Sequence, residues 1–196
     1  MGLFKKSNFI SLSDEALMAH VKKGEEKALE ELYDRYSKRM LFFFYQRLYQ
    51  DNEKAQDFLQ DLFLKIIEKS DSFDVGRKFS VWIYSIASNS CKNEYRKNAV
   101  RNTKVDNFEE KVLSRASYDL SSETKHDMDL FSKSLSEELS KMDEKHSLSF
   151  ILRHQQHLSI QEIGKVMDCP EGTVKSRLFY TIKTLAKNLR IYDSKN

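Results

Sequence analysis

Four short polar and basic side chains lie close together near the end of the chain, in the stretch MDCPEGTVKSRL. They are Thr173, Lys175, Ser176 and Arg177. Lysine and arginine neutralise phosphates or reach guanine edges, and serine and threonine hydroxyls bond either the sugar-phosphate backbone or a base. These residue types indicate a DNA-binding surface, and the solvated side of an ordinary helical hairpin is the alternative.

The residues around this stretch predict two helices joined by a tight turn. Ser159 and Glu162 form an S-x-x-E capping box, which predicts the start of a short helix. Pro170 fits the first position of the next helix, with Cys169 as its N-cap. Gly164 offers a small surface where the two helices can approach closely. The pattern predicts a helix-turn-helix whose second helix enters a major groove.

A basic and amide-rich segment follows an apolar segment in the first half of the chain. One predicted helix begins with apolar residues around Trp82 and becomes basic along its length, at Asn89, Lys92, Asn93, Arg96 and Lys97. An amide donates to and accepts from base edges. Trp82 falls on the apolar stripe, which favours a core position over a base-stacking one.

Charge is distributed unevenly along the chain, although the net charge is only +3. Residues 51–74 hold seven acids and three bases, a net of −4, whereas residues 75–104 hold seven bases and one acid, a net of +6. Residues 165–190 hold six bases and two acids, a net of +4. An acidic face beside a basic one can meet a basic partner protein and DNA selectively. Solvated helix faces are the alternative interpretation.

The spacing of apolar residues predicts an all-α protein with two small helical domains, the second a helix-turn-helix. Apolar residues recur at helical intervals through most of the first hundred residues and again from Leu135. Frequent serines and mixed charges predict a flexible linker at residues 101–134. The predicted domains are therefore residues 10–100 and 135–192. With five glycines and one proline in 196 residues, the composition also favours helices.

Other classes of protein receive little support from the sequence. His154 and His157 have an i,i+3 spacing that could bind a metal, but no carboxylate or cysteine at suitable spacing completes a site. Cys91 and Cys169 are far apart and form no CxxC motif, which is consistent with a reducing compartment. No apolar stretch is long enough to span a bilayer. We therefore expect a cytoplasmic protein without membrane insertion, cofactor, metal or catalytic residue.

A ligand-responsive repressor or activator is an alternative function, with the first domain as sensor and the second as DNA reader. Such a protein needs a ligand pocket or a phosphoacceptor. The sequence shows neither β–α alternation nor an acidic cluster on strand ends. Contact with a basic partner protein and with DNA explains the acidic-then-basic order of the first domain better.

Four segments, in this order, resemble bacterial RNA polymerase sigma factors of the extracytoplasmic-function (ECF) group of the sigma-70 family. SLSDEALMAHVKKGEEKALEELYDRY resembles the start of the first domain, and DNEKAQDFLQDLFLKIIEK resembles the segment that docks on the polymerase clamp. FSVWIYSIASNSCKNEYRK is similar to the helix that opens and reads the minus-10 element, and LSIQEIGKVMDCPEGTVKSRL to the minus-35-reading helix-turn-helix. Response-regulator output domains carry runs like GTVKSRL, but the four segments in order are specific.

The resemblance implies a non-enzymatic subunit that directs core RNA polymerase to promoters and stabilises the melted strand. Its implied partners are promoter DNA, the β′ clamp and β flap of core polymerase, and an anti-sigma factor. The family's acidic segment docks on a basic β′ coiled coil through a D-x-x-Q-D-x-F pattern, matched here by Asp57, Gln60, Asp61 and Phe63. Phe63 falls on the apolar stripe, so core packing is an equally good interpretation for it.

The resemblance also implies which residues face promoter DNA. The minus-10 candidates are Phe73, Arg77, Lys78, Ser85, Asn89, Lys92, Asn93 and Arg96. The minus-35 candidates are Thr173, Lys175, Ser176, Arg177, Phe179 and Tyr180. Residues 70–78 correspond to the loop that receives a flipped base in the family.

Several positions depart from the residues common in the family. Ser85 stands where an arginine is frequent, so base preference or melting strength should differ. Tyr180 and Ile182 stand where arginines are common, which predicts a smaller salt-dependent part of the minus-35 affinity. Asp143 occupies a position that is commonly proline, and His157 one that is commonly glycine.

Overall fold

The computed structural model describes residues 9–102 and 123–189, and within these ranges every regular element is helical. Side chains are described for residues 9–100 and 130–189. The prediction of an all-α protein with a helix-turn-helix is confirmed. Most of the predicted linker, residues 103–122, lies outside the described residues, as do residues 190–192 of the predicted second domain.

Eight α-helices and three short turns make up two units in the described ranges. The first unit contains a 3-10 turn (Phe9–Ser11), α1 (Asp14–Val21), α2 (Glu26–Arg47), α3 (Asn52–Glu68), a 3-10 turn (Ser70–Ser72) and α4 (Phe79–Asn102). The second unit contains α5 (Glu123–Ser140), α6 (Glu144–Phe150), a π-helical turn (Ile151–Gln155), α7 (Ile160–Met167) and α8 (Glu171–Asn188).

Short polar residues and one glycine set the helix boundaries of the first unit. The Ser13 hydroxyl accepts a hydrogen bond from the Ala16 amide at 3.2 Å, at the start of α1. Asp51 does the same for the Lys54 amide at 3.0 Å, at the start of α3. Such side-chain caps satisfy amides that have no partner within the helix. Gly24, with φ of 78°, supplies the left-handed turn between α1 and α2.

Aromatic rings fill the core of the first unit, where α2 and α4 meet. Phe43 is fully buried and packs edge-to-face on Phe44 and Tyr84, with ring centroids 5.7 and 5.5 Å apart. Tyr36 packs on Phe79 at 5.1 Å in the same manner. Each ring buries a large apolar area, and edge-to-face pairs add to that stabilisation. This core supports the whole apolar half of α4.

The second unit has a smaller, largely aliphatic core and a tight turn between α7 and α8. The predicted capping box is confirmed: the Glu162 amide donates to the Ser159 hydroxyl at 3.2 Å, and the Ser159 amide donates to the Glu162 carboxylate at 2.8 Å. A Cβ on Gly164 would lie 2.9 Å from the Cys169 carbonyl oxygen. Glycine is therefore needed where α7 meets the turn.

The predicted N-cap of α8 is wrong by one residue. Asp168 adopts a left-handed conformation, with φ of 49° and ψ of 56°, and the Cys169 amide donates back to the Gly164 carbonyl at 3.0 Å. Cys169 thus closes the end of α7, and Pro170 becomes the N-cap of α8. The left-handed Asp168 and the following Cys169 belong to the end of α7, so the N-cap of α8 falls one residue later than predicted.

Helix α5 begins at Glu123, within the range that the sequence analysis predicts as a linker. Phe131, Leu135 and Leu139 are four residues apart and continue the apolar stripe of the second unit into that range. Only Leu139 is fully buried, while Phe131 is 43% exposed. Because this apolar stripe is buried mainly at its C-terminal end, the sequence gives only a weak indication that α5 begins as early as Glu123.

The two units pack directly on each other, chiefly through α4 and α7. In the part of the chain that the structure describes, no helix is both long and apolar enough to cross a membrane.

Candidate protein and nucleic-acid interfaces

Helix α3 presents a polar, acidic face to solvent. Asp57, Gln60 and Asp61 are all exposed, and their spacing of three and one places them on neighbouring positions of one side. Leu64 lies one turn further along the same side and is 57% exposed. The face therefore combines negative charge with an exposed apolar side chain.

Phe63, the fourth candidate in this segment, is a core residue. It is only 7% exposed and packs on the Tyr33 ring, with centroids 4.8 Å apart. Its edge reaches a shallow groove of about 250 Å³ between α2 and α3, which is also lined by Leu29, Glu30, Tyr33 and Asp34. The groove places apolar and acidic groups beside the exposed face of α3.

Two residues of this surface, Tyr33 and Leu64, were not identified from the sequence. Tyr33 is 45% exposed although it belongs to the apolar stripe of α2, because it lies at the edge of the stripe. Leu64 lies next to the stripe of α3 rather than on it. An apolar residue displaced by one position from a helical stripe is the signal that would have found it.

Hydrogen bonds from α1 and its C-cap residue fix the turn between α3 and α4. The Lys22 ammonium donates to the carbonyl oxygen of Phe73 at 2.5 Å and approaches that of Asp71 at 3.4 Å. At the other end, the Glu15 carboxylate accepts a hydrogen bond from the Phe79 amide at 2.9 Å. Both ends of the turn are therefore fixed to the same short helix.

Within this turn, the minus-10 candidates separate into a buried and an exposed group. Phe73 is 2% exposed and packs on Trp82, with ring centroids 5.0 Å apart. Arg77 and Lys78 lie at the surface, and Arg77 approaches the Asp74 carboxylate at 3.4 Å. The aromatic cluster supports the turn, while the basic side chains face solvent. Trp82 is half-buried and packs against the buried core.

The basic half of α4 carries a solvent-facing polar stripe. Asn89, Asn93 and Arg96 are exposed, and Lys92 is half-buried. Ser85 differs from them, because its hydroxyl donates to the Val81 carbonyl at 2.8 Å within the same helix. The structure thus brings the asparagines and basic residues together but leaves Ser85 engaged with its own backbone.

Contacts on the other side of α4 fix this half of the helix. Lys54 of α3 lies 2.6 Å from the Glu94 carboxylate, and the hydrogen bond from Lys54 lowers the pKa of Glu94. The Tyr95 hydroxyl donates to the Arg47 carbonyl oxygen at the end of α2. These contacts hold the polar stripe in a defined orientation.

Helix α8 presents a mixed basic and aromatic surface, while Val174 and Leu178 anchor it to the second unit. The exposed candidates are Lys175, Ser176, Phe179 and Tyr180, and the half-buried ones are Thr173 and Arg177. Arg177 bends towards the turn and lies 3.4 Å from the Cys169 sulfur. Phe179 and Tyr180 are 62% and 56% exposed, and their rings meet edge-to-face.

Two further basic residues extend this surface, Lys183 and Lys187, which are both exposed. They lie at intervals of four from Lys175 and Phe179, so the helical period would have identified them. Two of the family departures noted for this unit also have structural roles. His157 has a φ of 58°, and Asp143 caps α6 by accepting from the Lys145 amide at 2.9 Å.

His154 belongs to a helical turn rather than to a ligand cluster. Its ring packs on Phe150 at 4.6 Å, and burial, with a further contribution from Arg153, lowers its pKa. Among the described residues, no three histidine, cysteine or carboxylate side chains come close enough together to hold a metal ion.

Comparison with known proteins gives the family of this chain. The family model for Sigma-70 region 2 matches residues 32–101, and the model for Sigma-70, region 4 matches residues 132–185. The ECF RNA polymerase sigma factor SigW of Bacillus subtilis is 30% identical over 180 residues, covering 87% of this chain and 93% of that protein. The chain belongs to the ECF group of the sigma-70 family.

Other relatives and solved structures agree with this assignment. The ECF RNA polymerase sigma-E factor of Escherichia coli K12 is 31% identical over 180 residues, covering 86% of this chain and 90% of that protein. The structure of CnrH in complex with the cytosolic domain of CnrY covers 93% of this chain and 99% of that chain, at 20% identity and a TM-score of 0.67. The sigma factor RpoE of Bartonella quintana, in complex with the anti-sigma factor NepR, covers 80% of this chain and 98% of that chain, at 20% identity and a TM-score of 0.61. At this identity the two structures support the fold alone.

Family membership confirms the predicted function at the level of the whole chain. As a sigma factor, it directs core RNA polymerase to promoters, and it is an initiation factor rather than an enzyme. The individual contact residues stay predictions.

Proposed function

We propose that three surfaces of this sigma factor have separate binding roles. The acidic face of α3 docks on the β′ clamp of core polymerase, the polar stripe of α4 with the preceding turn holds the melted minus-10 strand, and α8 reads the minus-35 element. The observation that carries this assignment is the exposure of Asp57, Gln60 and Asp61 beside an apolar groove, on a different helix from the basic stripe.

The docking surface has the composition of a protein interface. Its exposed apolar side chains, Tyr33 and Leu64, supply contact area, while Asp57 and Asp61 form a charged rim. A basic coiled coil complements these carboxylates, which favours fast and correctly oriented association. Phe63 contributes by packing on the Tyr33 ring and fixing its position, rather than by inserting into the partner protein.

The minus-10 surface suits an unpaired strand. Asn89 and Asn93 offer amide donors and acceptors to base edges, while Arg96 and Lys92 neutralise phosphates. The turn that precedes α4 receives the flipped base, with Arg77 at its surface and Phe73 beneath it. Because α1 fixes both ends of that turn, the base-binding shape is organised before DNA arrives.

In the minus-35 surface, Lys175 supplies a phosphate or guanine contact, and Ser176 and Thr173 bond bases or backbone. Phe179 and Tyr180 offer apolar contact to thymine methyl groups or sugars. Arg177 must leave the Cys169 sulfur to reach DNA. Lys183 and Lys187 extend the positive surface along the phosphates.

We assign polymerase binding and minus-10 recognition to residues 10–100, minus-35 recognition to residues 135–192, and the connection to residues 101–134. The second domain also contacts the β flap. The printed names of two structural neighbours describe complexes, CnrH with CnrY and RpoE with an anti-sigma factor. We extend an anti-sigma partner to this chain, and we place it in the cytoplasm, where core polymerase is found.

Binding of the reconstituted holoenzyme to a single-stranded minus-10 oligonucleotide tests the assignment of α4. Substituting both Asn89 and Asn93 by alanine should weaken binding about tenfold or more, since two base-contacting side chains are lost. Asn52→Ala, which changes an exposed asparagine at the start of the neighbouring α3, should have no effect. Equal binding by the Asn89 and Asn93 double variant would contradict the assignment.

Salt dependence tests the role of α8. Lys175→Ala should weaken minus-35 duplex binding and reduce the slope of log affinity against log salt by about one, because one phosphate contact is lost. An unchanged slope would show that Lys175 does not contact a phosphate.

A further inference from the structure

One backbone carbonyl group in the turn between α3 and α4 is bound by a side chain from outside the turn. In the first half of the turn, the Phe73 amide donates to the Ser70 carbonyl oxygen at 3.1 Å. In the second half, the Arg77 amide donates to the Asp74 carbonyl oxygen at 2.9 Å. The Phe73 carbonyl oxygen lies between these two hydrogen bonds along the chain, and it accepts from the Lys22 ammonium at 2.5 Å.

The ring of Phe73 is fixed independently of its backbone. It is 2% exposed and packs on Trp82 and Phe79, with ring centroids 5.0 and 5.9 Å apart. The buried ring and the bound carbonyl together fix the orientation of the peptide group that follows Phe73. The exposed part of the turn, residues 74–78, continues from this peptide group, so its direction depends on both contacts.

Lys22 is suited to fixing this backbone. It is the half-buried C-cap residue of α1, and its ammonium also approaches the Asp71 carbonyl oxygen at 3.4 Å. Both acceptors belong to the turn, and an ammonium has three donor hydrogens with which to serve them. A hydrogen bond from a charged donor is also stronger than one between neutral groups. Lys22 therefore links the end of α1 to the middle of the turn.

The other end of α1 is anchored to α2, so Lys22 extends from a fixed support. The Asp14 carboxylate accepts from the Arg35 guanidinium at 2.8 Å and from the Tyr36 hydroxyl at 2.5 Å. Arg35 also donates to the Leu12 carbonyl oxygen at 2.9 Å, just before α1 begins. A short helix held in this way transmits the position of α2 to the turn.

We propose that Lys22 is a positioning residue for minus-10 recognition. It sets the orientation of the Phe73 peptide group and, through it, the shape in which residues 74–78 meet an unpaired base. Such preorganisation lowers the cost of ordering the turn when DNA binds. Lys22 acts without touching DNA, because its ammonium is bonded to the turn. The inference rests on the proposed role of this turn in holding a flipped base, but order in the turn is measurable without DNA.

The fluorescence of Trp82, the single tryptophan of the chain, reports order in the turn. Lys22→Met keeps an unbranched side chain but removes the donor, so acrylamide should quench Trp82 about twofold more strongly as the turn loosens. Lys23→Met makes the same change at the exposed neighbouring lysine and should be quenched like the wild type. Lys22→Arg keeps a charged donor and should also be quenched like the wild type. Circular dichroism should show unchanged helicity in all three variants.

Binding of the reconstituted holoenzyme to DNA tests recognition. The probes are a single-stranded minus-10 oligonucleotide and the same oligonucleotide made abasic at one position at a time. The wild type should bind the intact strand about tenfold more tightly than the strand that lacks the flipped base. In Lys22→Met this preference should fall to about twofold, since the turn is no longer preorganised. Lys22→Arg and Lys23→Met should keep the preference, and all variants should still associate with core polymerase.

Salt dependence separates positioning from direct contact with a phosphate. A lysine that neutralises one phosphate of a single strand contributes about 0.7 to the slope of log affinity against log salt. Lys22→Met should leave the slope unchanged. A slope that is reduced by this amount, with equal losses for intact and abasic strands, would make Lys22 a phosphate contact and overturn the proposal.

Two other results would also overturn the proposal. The first is a Lys22→Met variant with the quenching and the base preference of the wild type. The second is a wild-type holoenzyme that binds intact and abasic strands equally, which would refute the proposed role of the turn and with it the role of Lys22 in recognition. In that second case, quenching of Trp82 would still show whether Lys22 orders the turn.

Discussion

The two units each present a helix that we propose to face DNA, but they support it in different ways. Helix α4 lies on a broad aromatic core, in which Phe43 and Tyr84 are almost completely buried. Helix α8 depends on a few aliphatic side chains and on the backbone geometry of one turn, centred on Gly164 and Asp168. The first unit is therefore stabilised by buried area, and the second by local conformation.

This difference indicates where each unit is vulnerable. A large core loses stability mainly when a ring is removed, because the cavity left behind is large. A unit built around a tight turn loses stability when a single Cβ is added or a single cap is removed. Substitutions at these places should therefore affect polymerase binding and minus-35 recognition separately.

The largest effect is expected from Phe43→Ala. Phe43 is fully buried, so its truncation should lower the free energy of unfolding by about 3–5 kcal/mol and reduce binding to core polymerase. Chemical denaturation measures the loss. Phe42→Ala, at the adjacent and 40% exposed ring, is the matched control and should cost far less. Equal losses would show that the aromatic core does not support the first unit.

A smaller but more selective effect is expected from Gly164→Val. The new side chain meets the Cys169 carbonyl oxygen and should cost about 1–3 kcal/mol. Minus-35 duplex binding should fall while association with core polymerase persists. Gly172→Ala is the control, because nothing lies within 4 Å of a Cβ there and alanine favours the helix. Loss of both activities in Gly164→Val would contradict the separation of the units.

The smallest effect is expected from Ser159→Ala, which removes the N-cap of α7. The second unit should lose about 1 kcal/mol, since the Glu162 amide loses its partner. Thermal unfolding of the full chain detects the change, with the exposed Thr184→Ala on α8 as the control. An unchanged melting profile would mean that the turn alone fixes α7.

Local signals carried most of what the sequence predicts correctly. The capping box at Ser159 and Glu162 and the small residue at Gly164 each depend on neighbours within a few positions. The N-cap of α8 was misplaced because the left-handed Asp168 has no strong local signature. The correct predictions and the incorrect one at this turn therefore all depend on the local backbone conformation.

Contacts between distant residues could not be predicted in the same way. Arg47 and Gln156 look like ordinary polar helix residues, and their burial depends on the packing of one unit against the other. Phe73 is similar, because a loop position predicts exposure and only the fold places it beneath Trp82. A residue whose burial depends on distant parts of the chain therefore has the sequence pattern of a surface residue, although the structure buries it.

The most direct test of the account is co-elution of the chain with bacterial core RNA polymerase on size-exclusion chromatography. Asp61→Lys reverses an exposed charge on the proposed docking face of α3, and Glu137→Lys makes the same change on the second unit. We expect the wild type and Glu137→Lys to co-elute with core polymerase and Asp61→Lys to elute alone. Co-elution of all three proteins would contradict docking through the acidic face of α3.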